Sequence, residues 1–123
     1  MKLYHCASCN QVFIGLFDSQ SSMTCCGQNL EELQITSTEE QEMHQPIIRQ
    51  VGNFFTVTIG NQDHPMLEVH QVKFILIKTN QGIQYKLLET GKKPQVTFIL
   101  DYDELVDEIY AYCNLGGLIH LAL

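Results

Sequence analysis

The sequence predicts an all-β chain in two parts: a small module organised around cysteines, then an antiparallel β-sandwich. Three observations predict it. Four of the five cysteines fall within the first 26 of 123 residues. A polar, acidic stretch, Thr36-Ser37-Thr38-Glu39-Glu40-Gln41-Glu42, then breaks the pattern and reads as a linker. Beyond residue 50, short apolar or alternating runs follow one another, each closed by turn residues. The expected division is a module over 1–36 and a sandwich over 37–123.

In the module, Cys6-Ala7-Ser8-Cys9 is followed after fifteen residues by the adjacent pair Cys25-Cys26. Neighbouring cysteines are poorly placed to bridge each other, because the short backbone between them strains the disulfide dihedral. Both can reach one tetrahedral metal ion if the chain turns tightly, and Gly27 supplies freedom for that turn. Cys6, Cys9, Cys25 and Cys26 are therefore the expected ligands of a four-thiolate site, and sulfur-only tetrahedral ligation suits iron and zinc alike. A piece of about 35 residues buries too little apolar surface to hold itself together, and a structural metal is a common remedy. His5 reads as a solvent-facing neighbour, since four thiolates already complete a tetrahedron.

The module's own strands are short: Val12-Phe13-Ile14-Gly15 leads into the turn cluster Asp18-Ser19-Gln20-Ser21-Ser22, and a second arm carries the cysteine pair and Leu30. In the second part, Phe55-Thr56-Val57-Thr58-Ile59 alternates and ends at Gly60-Asn61. Val72–Lys78 and Ile83–Leu87, separated by Thr79-Asn80-Gln81-Gly82, read as a hairpin. Val96–Leu100 follows Gly91-Lys92-Lys93-Pro94, and the last two strands, Ile109–Tyr112 and Leu118–Leu123, flank Cys113-Asn114-Leu115-Gly116-Gly117. Strands at this spacing predict a sandwich. The acids of Asp101-Tyr102-Asp103-Glu104-Leu105-Val106 mark the one place suited to a short helix.

Charge and hydropathy narrow the function. Seven Lys and Arg against fourteen Asp and Glu give a net charge of −7, and the scattered cations form no phosphate-binding patch, so nucleic acid is not an expected partner. No stretch approaches the roughly 18 apolar residues that cross a bilayer, and Met1–Cys6 has no export signal's apolar region. The expectation is a cytoplasmic protein without a membrane partner, in which thiols bind metal rather than pair as disulfides.

The second part holds the remaining cysteine, Cys113, together with His44, His64, His70 and His120. Imidazoles and a thiolate in loops between strands are candidate ligands for a second metal. Asn114 is a candidate for holding the ligand loop by hydrogen bonding.

These segments resemble the desulfoferrodoxin family of two-domain superoxide reductases. Cys6-x-x-Cys9 with Cys25-Cys26-Gly27 is similar to the family's desulforedoxin module. Glu42-Met43-His44-Gln45-Pro46 resembles its Glu-Lys-His-Val-Pro motif, His64-Pro65-Met66 with His70 its His-Pro-Met segment, and Cys113-Asn114-Leu115 the start of its Cys-Asn-x-His-Gly motif. The matches run in family order over nearly the entire chain. The resemblance implies an immunoglobulin-like sandwich, commonly in a homodimer. It also implies a ferrous centre with histidine and cysteine ligands that reduces superoxide to hydrogen peroxide. Carried over, the metal ligands are His44, His64, His70 and Cys113. Glu42 matches the carboxylate that occupies the sixth position of the oxidised iron. A small redox protein such as a rubredoxin is the implied electron donor.

Two positions depart from the family pattern. Its fourth histidine falls on Gly116 and its lysine on Met43. Three nitrogens and one sulfur suit tetrahedral zinc as well as iron, and the place of the lost ligand falls to water, to His120 four residues on, or to nothing. The sequence thus supports a divergent superoxide reductase. It also admits a non-catalytic iron, zinc or electron-transfer protein whose second site is degenerate or empty.

Overall fold

The computed structural model describes residues 1–35, 45–60 and 65–123. The chain divides into two compact units, Met1–Gln34 and Ile35–Leu123. Among the described residues the regular elements are all strands, and no helix is long and apolar enough to cross a membrane.

The first unit contains β1 (Lys2–His5), β2 (Val12–Gly15), β3 (Thr24–Cys25), β4 (Gln28–Asn29) and β5 (Glu31–Glu32). β1 is the centre of an antiparallel sheet in the order β2-β1-β5, while β3 and β4 form a separate hairpin. Its buried apolar residues are Leu3 and Cys6. Two side chains do not make a core, and strands of two to four residues do not sustain one another.

The second unit contains β6 (Pro46–Val51), β7 (Phe54–Ile59), β8 (Val72–Thr79), β9 (Gly82–Leu87), β10 (Gln95–Ile99), β11 (Val106–Cys113) and β12 (Gly117–Ala122). They form two antiparallel sheets, β10-β7-β6 and β12-β11-β8-β9. The sheets share a core built from alternate residues: Phe55, Val57 and Ile59 of β7, and Val96 and Phe98 of β10, with Ile75, Ile77, Ile109, Ala111, Cys113 and Ile119 of the other sheet. Alternation puts one set inward because successive side chains on a strand point to opposite faces.

The hairpin joining β8 and β9 has the expected register, with Thr79 opposite Gly82. Beside Cys113 the β8–β11 ladder carries a bulge: the single step from Tyr112 to Cys113 spans two residues on β8, from Phe74 to Val72. Bulges re-aim side chains, and here Val72 and Cys113 both enter the core.

Two readings of the sequence change. β6 was not anticipated, because the expected strands began at Phe55. It is an edge strand opened by Pro46, with no clean alternation, and an edge position tolerates the missing proline N–H. The short helix expected over 101–106 is instead a turn. Asp103 takes φ +57, and the Glu104 carboxylate accepts from the Asp101 N–H at 2.9 Å and from the buried Thr79 hydroxyl at 2.6 Å. A left-handed residue stops a right-handed helix before its first turn closes.

Glu104 carries a first prediction. The Thr79 hydroxyl, then the Asp101 amide, hold its carboxyl below the usual carboxylate value. A depressed carboxyl adds stability above its unfolded value and loses it as pH falls through the folded one. Glu104→Gln is therefore expected to destabilise the sandwich by about 1 kcal/mol at neutral pH. The gap between variant and wild type should narrow as pH falls below the ordinary carboxylate range in denaturant titrations.

Candidate metal centres

Two tight turns bring the four N-terminal thiols together. β1 ends at His5, and the next residue, Cys6, donates its N–H to Gln11 C=O at 2.9 Å, while the Asn10 N–H donates back to Cys6 C=O at 2.7 Å. Asn10 takes φ +62, a conformation asparagine tolerates better than most residues, and this closes the Cys6–Cys9 loop. On the opposing arm, Cys25 pairs with Gln28 across the two-residue turn Cys26-Gly27. Both turn residues are left-handed, at φ +53 and +74, as a type I′ hairpin requires. The adjacent cysteines thus end up at the tip of a hairpin rather than along a strand.

The four Sγ atoms all lie within 4.8 Å of one another. Cys9 and Cys25 Sγ are 3.7 Å apart and Cys25 and Cys26 Sγ 3.9 Å. A tetrahedron with metal–sulfur bonds of about 2.3 Å has sulfur–sulfur edges near 3.8 Å, whereas a disulfide is about 2.05 Å long. All five cysteines are free thiols. The donor set and spacing therefore fit iron or zinc.

Electrostatics adds the reason a cation is needed. Cys6 is lowered to about 7, chiefly because the Cys9 N–H donates to its sulfur, against the opposing pull of burial. Cys25 is pushed up to about 12, first by its hydrogen bond to Cys6 and then by that to Cys9; Cys26 is also raised, mainly by Cys6. One thiolate forms readily and then holds its neighbours protonated. Four thiolates coexist only around a cation, so metal uptake must release protons.

In the second unit, His70 and Cys113 are described, whereas Glu42, Met43, His44 and His64 lie outside the described residues. His70 closes a tight turn: its N–H donates to Leu67 C=O at 3.1 Å and its C=O accepts from the Leu67 N–H at 3.0 Å. Cys113 ends β11, fully buried, and the Gly116 N–H donates to its Sγ at 3.3 Å. The Asn114 side chain joins the two segments: Oδ1 accepts from the Gln71 N–H at 2.9 Å and Nδ2 donates to Val69 C=O at 3.1 Å. Gln71 is itself buried, with its Oε1 accepting from the Thr90 hydroxyl at 2.9 Å. The partners Gln71 and Thr90 carry no signal in the sequence.

His120 is not a substitute ligand. Its neighbour Ile119 faces the core with Cys113, which puts His120 on the opposite face of the sheet. There its Nε2 lies 3.1 Å from Glu108 Oε1, its ring packs 4.7 Å from that of Tyr110, and Lys78 Nζ sits 3.6 Å from Glu108 Oε2.

Fold and centre together define an all-β metal-binding protein, with a cysteine-ligated unit preceding a two-sheet unit. The family profile of desulfoferrodoxin matches residues 36–121. A desulfoferrodoxin homolog of Archaeoglobus fulgidus is 30% identical over 119 residues, 96% of this chain and 94% of its own. The desulfoferrodoxin of Nitratidesulfovibrio vulgaris is 31% identical over 118 residues, 94% of this chain and 91% of its own. Among solved structures, the superoxide reductase of Treponema pallidum superposes with a TM-score of 0.85 at 30% identity, covering 98% of this chain and 95% of that one. The chain belongs to the desulfoferrodoxin family.

Proposed function

We propose that the chain is an oxidoreductase that reduces superoxide to hydrogen peroxide at a centre held by His44, His64, His70 and Cys113. The observation that carries this reading is local. Cys113 is buried, its sulfur accepts a hydrogen bond from the Gly116 N–H, and its neighbour Asn114 binds both flanks of His70. Likeness to the Treponema pallidum superoxide reductase over nearly the whole chain supports it.

Iron bound by this donor set supplies the single electron that superoxide needs, and two protons complete hydrogen peroxide. The chain's own residues set the conditions. Cys113 places a sulfur ligand in an apolar core, and the Gly116 N–H, donating to that sulfur, would temper its donation to a bound metal. Glu42, by its match to the family's Glu-Lys-His-Val-Pro motif, is the carboxylate that would serve this centre. Gly116 adds no side chain, so this centre has one imidazole fewer than the family pattern. Met43 leaves the site without the family's lysine to attract an anion.

In the same reading the four-cysteine centre holds iron, with zinc able to replace it. A small electron-donor protein such as a rubredoxin re-reduces the chain, which works in the cytoplasm as a homodimer. Rapid mixing of reduced, iron-loaded protein with superoxide tests the activity. The expected result is oxidation of the second centre with one peroxide formed per electron delivered. Redox cycling at the thiolate centre alone, with no superoxide consumed, would overturn the proposal.

A further inference from the structure

The geometry points to Asn114 as a positioning residue of the second metal centre: its amide sets His70 relative to Cys113. This rests on the assignment of both residues as ligands of one metal.

Three hydrogen bonds carry the argument, all between segments more than forty residues apart in sequence. The Asn114 main-chain N–H donates to Gln71 C=O at 3.2 Å, its Oδ1 accepts from the Gln71 N–H at 2.9 Å, and its Nδ2 donates to Val69 C=O at 3.1 Å. Val69 and Gln71 are the two neighbours of His70, so the imidazole-bearing residue is gripped on both sides. Asn114 is also the residue after Cys113, so the same contacts fix the cysteine.

The strap continues at both ends. Gln71, buried, is anchored by Thr90, and the 67–70 turn is closed by the paired Leu67 and His70 main chains. On the other side, the three residues between Cys113 and Gly117 form the β11–β12 turn that aims the Gly116 N–H at the Cys113 sulfur. Asparagine suits the central place because one side chain offers both an acceptor and a donor. Aspartate keeps the acceptor for the Gln71 N–H and loses the donor to Val69; alanine loses both. Groups that orient metal ligands typically change metal affinity by about 10–100-fold when removed.

The test compares the full-length wild type with Asn114→Ala and Asn114→Asp, titrated with ferrous iron alone. It reads the affinity of the second centre, the energy of its sulfur-to-iron absorption after oxidation, and the thermal unfolding of the metal-free sandwich. The expected result is a loss of second-centre affinity of about 10–100-fold in Asn114→Ala, with a shifted absorption. Asn114→Asp should fall between that variant and wild type, and the four-cysteine absorption should be unchanged in both. A lowered melting temperature with wild-type affinity and an unshifted band would mean a structural role only and would overturn the proposal. If Asn114→Ala does not fold, the same comparison in Asn114→Asp decides. A wild type that takes up one metal per chain overturns the ligand assignment itself, and the strap's role with it. Two metals bound equally by wild type and folded variants overturn the strap alone.

Discussion

Stripping the metal from the four-cysteine centre is expected to unfold Met1–Gln34 and leave Ile35–Leu123 folded. The first unit has almost nothing else to hold it: Leu3 and Cys6 are its buried apolar residues, and its strands run two to four residues. It also holds Cys26 in a left-handed conformation that a non-glycine residue disfavours. Structural metals in small thiolate sites contribute about 10–16 kcal/mol of binding free energy at neutral pH, most of which is folding free energy in units of this kind. The second unit, by contrast, buries Phe55, Phe98, Ile75, Ile77 and Ile109 in one cluster. Limited proteolysis before and after chelation checks the prediction: cleavage should become rapid within the first unit while the second stays protected. Continued protection of the first unit after metal loss would show that its strands suffice. Acid should act like a chelator. Cys25 and Cys26 are raised above the ordinary thiol value, so falling pH returns protons to sulfurs that only the metal keeps ionised.

The parts of this molecule that were legible in its sequence are those encoded within a few residues of one another. The four-cysteine site is the clearest case, since each arm of the tetrahedron is a local turn: Cys6–Asn10 on one side and Cys25–Gln28 on the other. The strands from Phe55 onward announced themselves by alternation, because one face of each meets the shared core. β6 did not, because an edge strand with Pro46, Arg49 and Gln50 carries little of that pattern. The turn at 101–106 was misread because acids favour a helix start, yet Glu104 spends its carboxylate on Thr79, 25 residues away. The same limit governs the second centre. Whether His120 faced Cys113 depended on the length of the turn between β11 and β12, which the sequence does not state. Asn114 stood out beside Cys113, but its partners lie 43 and 45 residues upstream. Long-range pairing of this kind is decided by the fold.

On the proposed function, Cys113→Ser should abolish superoxide reduction and leave the four-cysteine centre intact, the reverse of the pattern expected for Cys9→Ser. Cys113 is buried among Val72, Ile75, Ala111 and Ile119 in the core. Its sulfur accepts the Gly116 N–H at 3.3 Å where the surroundings are otherwise apolar. A serine hydroxyl is a far weaker, proton-retaining ligand for iron, and with one imidazole already missing at Gly116 the centre has no ligand to spare. Iron affinity should fall by at least about 100-fold, beyond the usual effect of disturbing a group behind the ligand. Superoxide reduction should fall with it. The comparison separates the two centres. In iron-loaded wild type, two irons per chain and two sulfur-to-iron bands are expected. Cys113→Ser should keep only the band of the thiolate tetrahedron, and Cys9→Ser only that of the second centre. The buried hydroxyl costs stability as well, about 1–3 kcal/mol, so the loss of metal must be read below the variant's own unfolding transition. If iron content and superoxide turnover in Cys113→Ser match wild type, the thiolate is not a ligand and the chemistry lies elsewhere. If one iron binds to wild type and only Cys9→Ser removes it, the second site has lost its metal with its fourth histidine. The buried cysteine is then a core residue with no redox role.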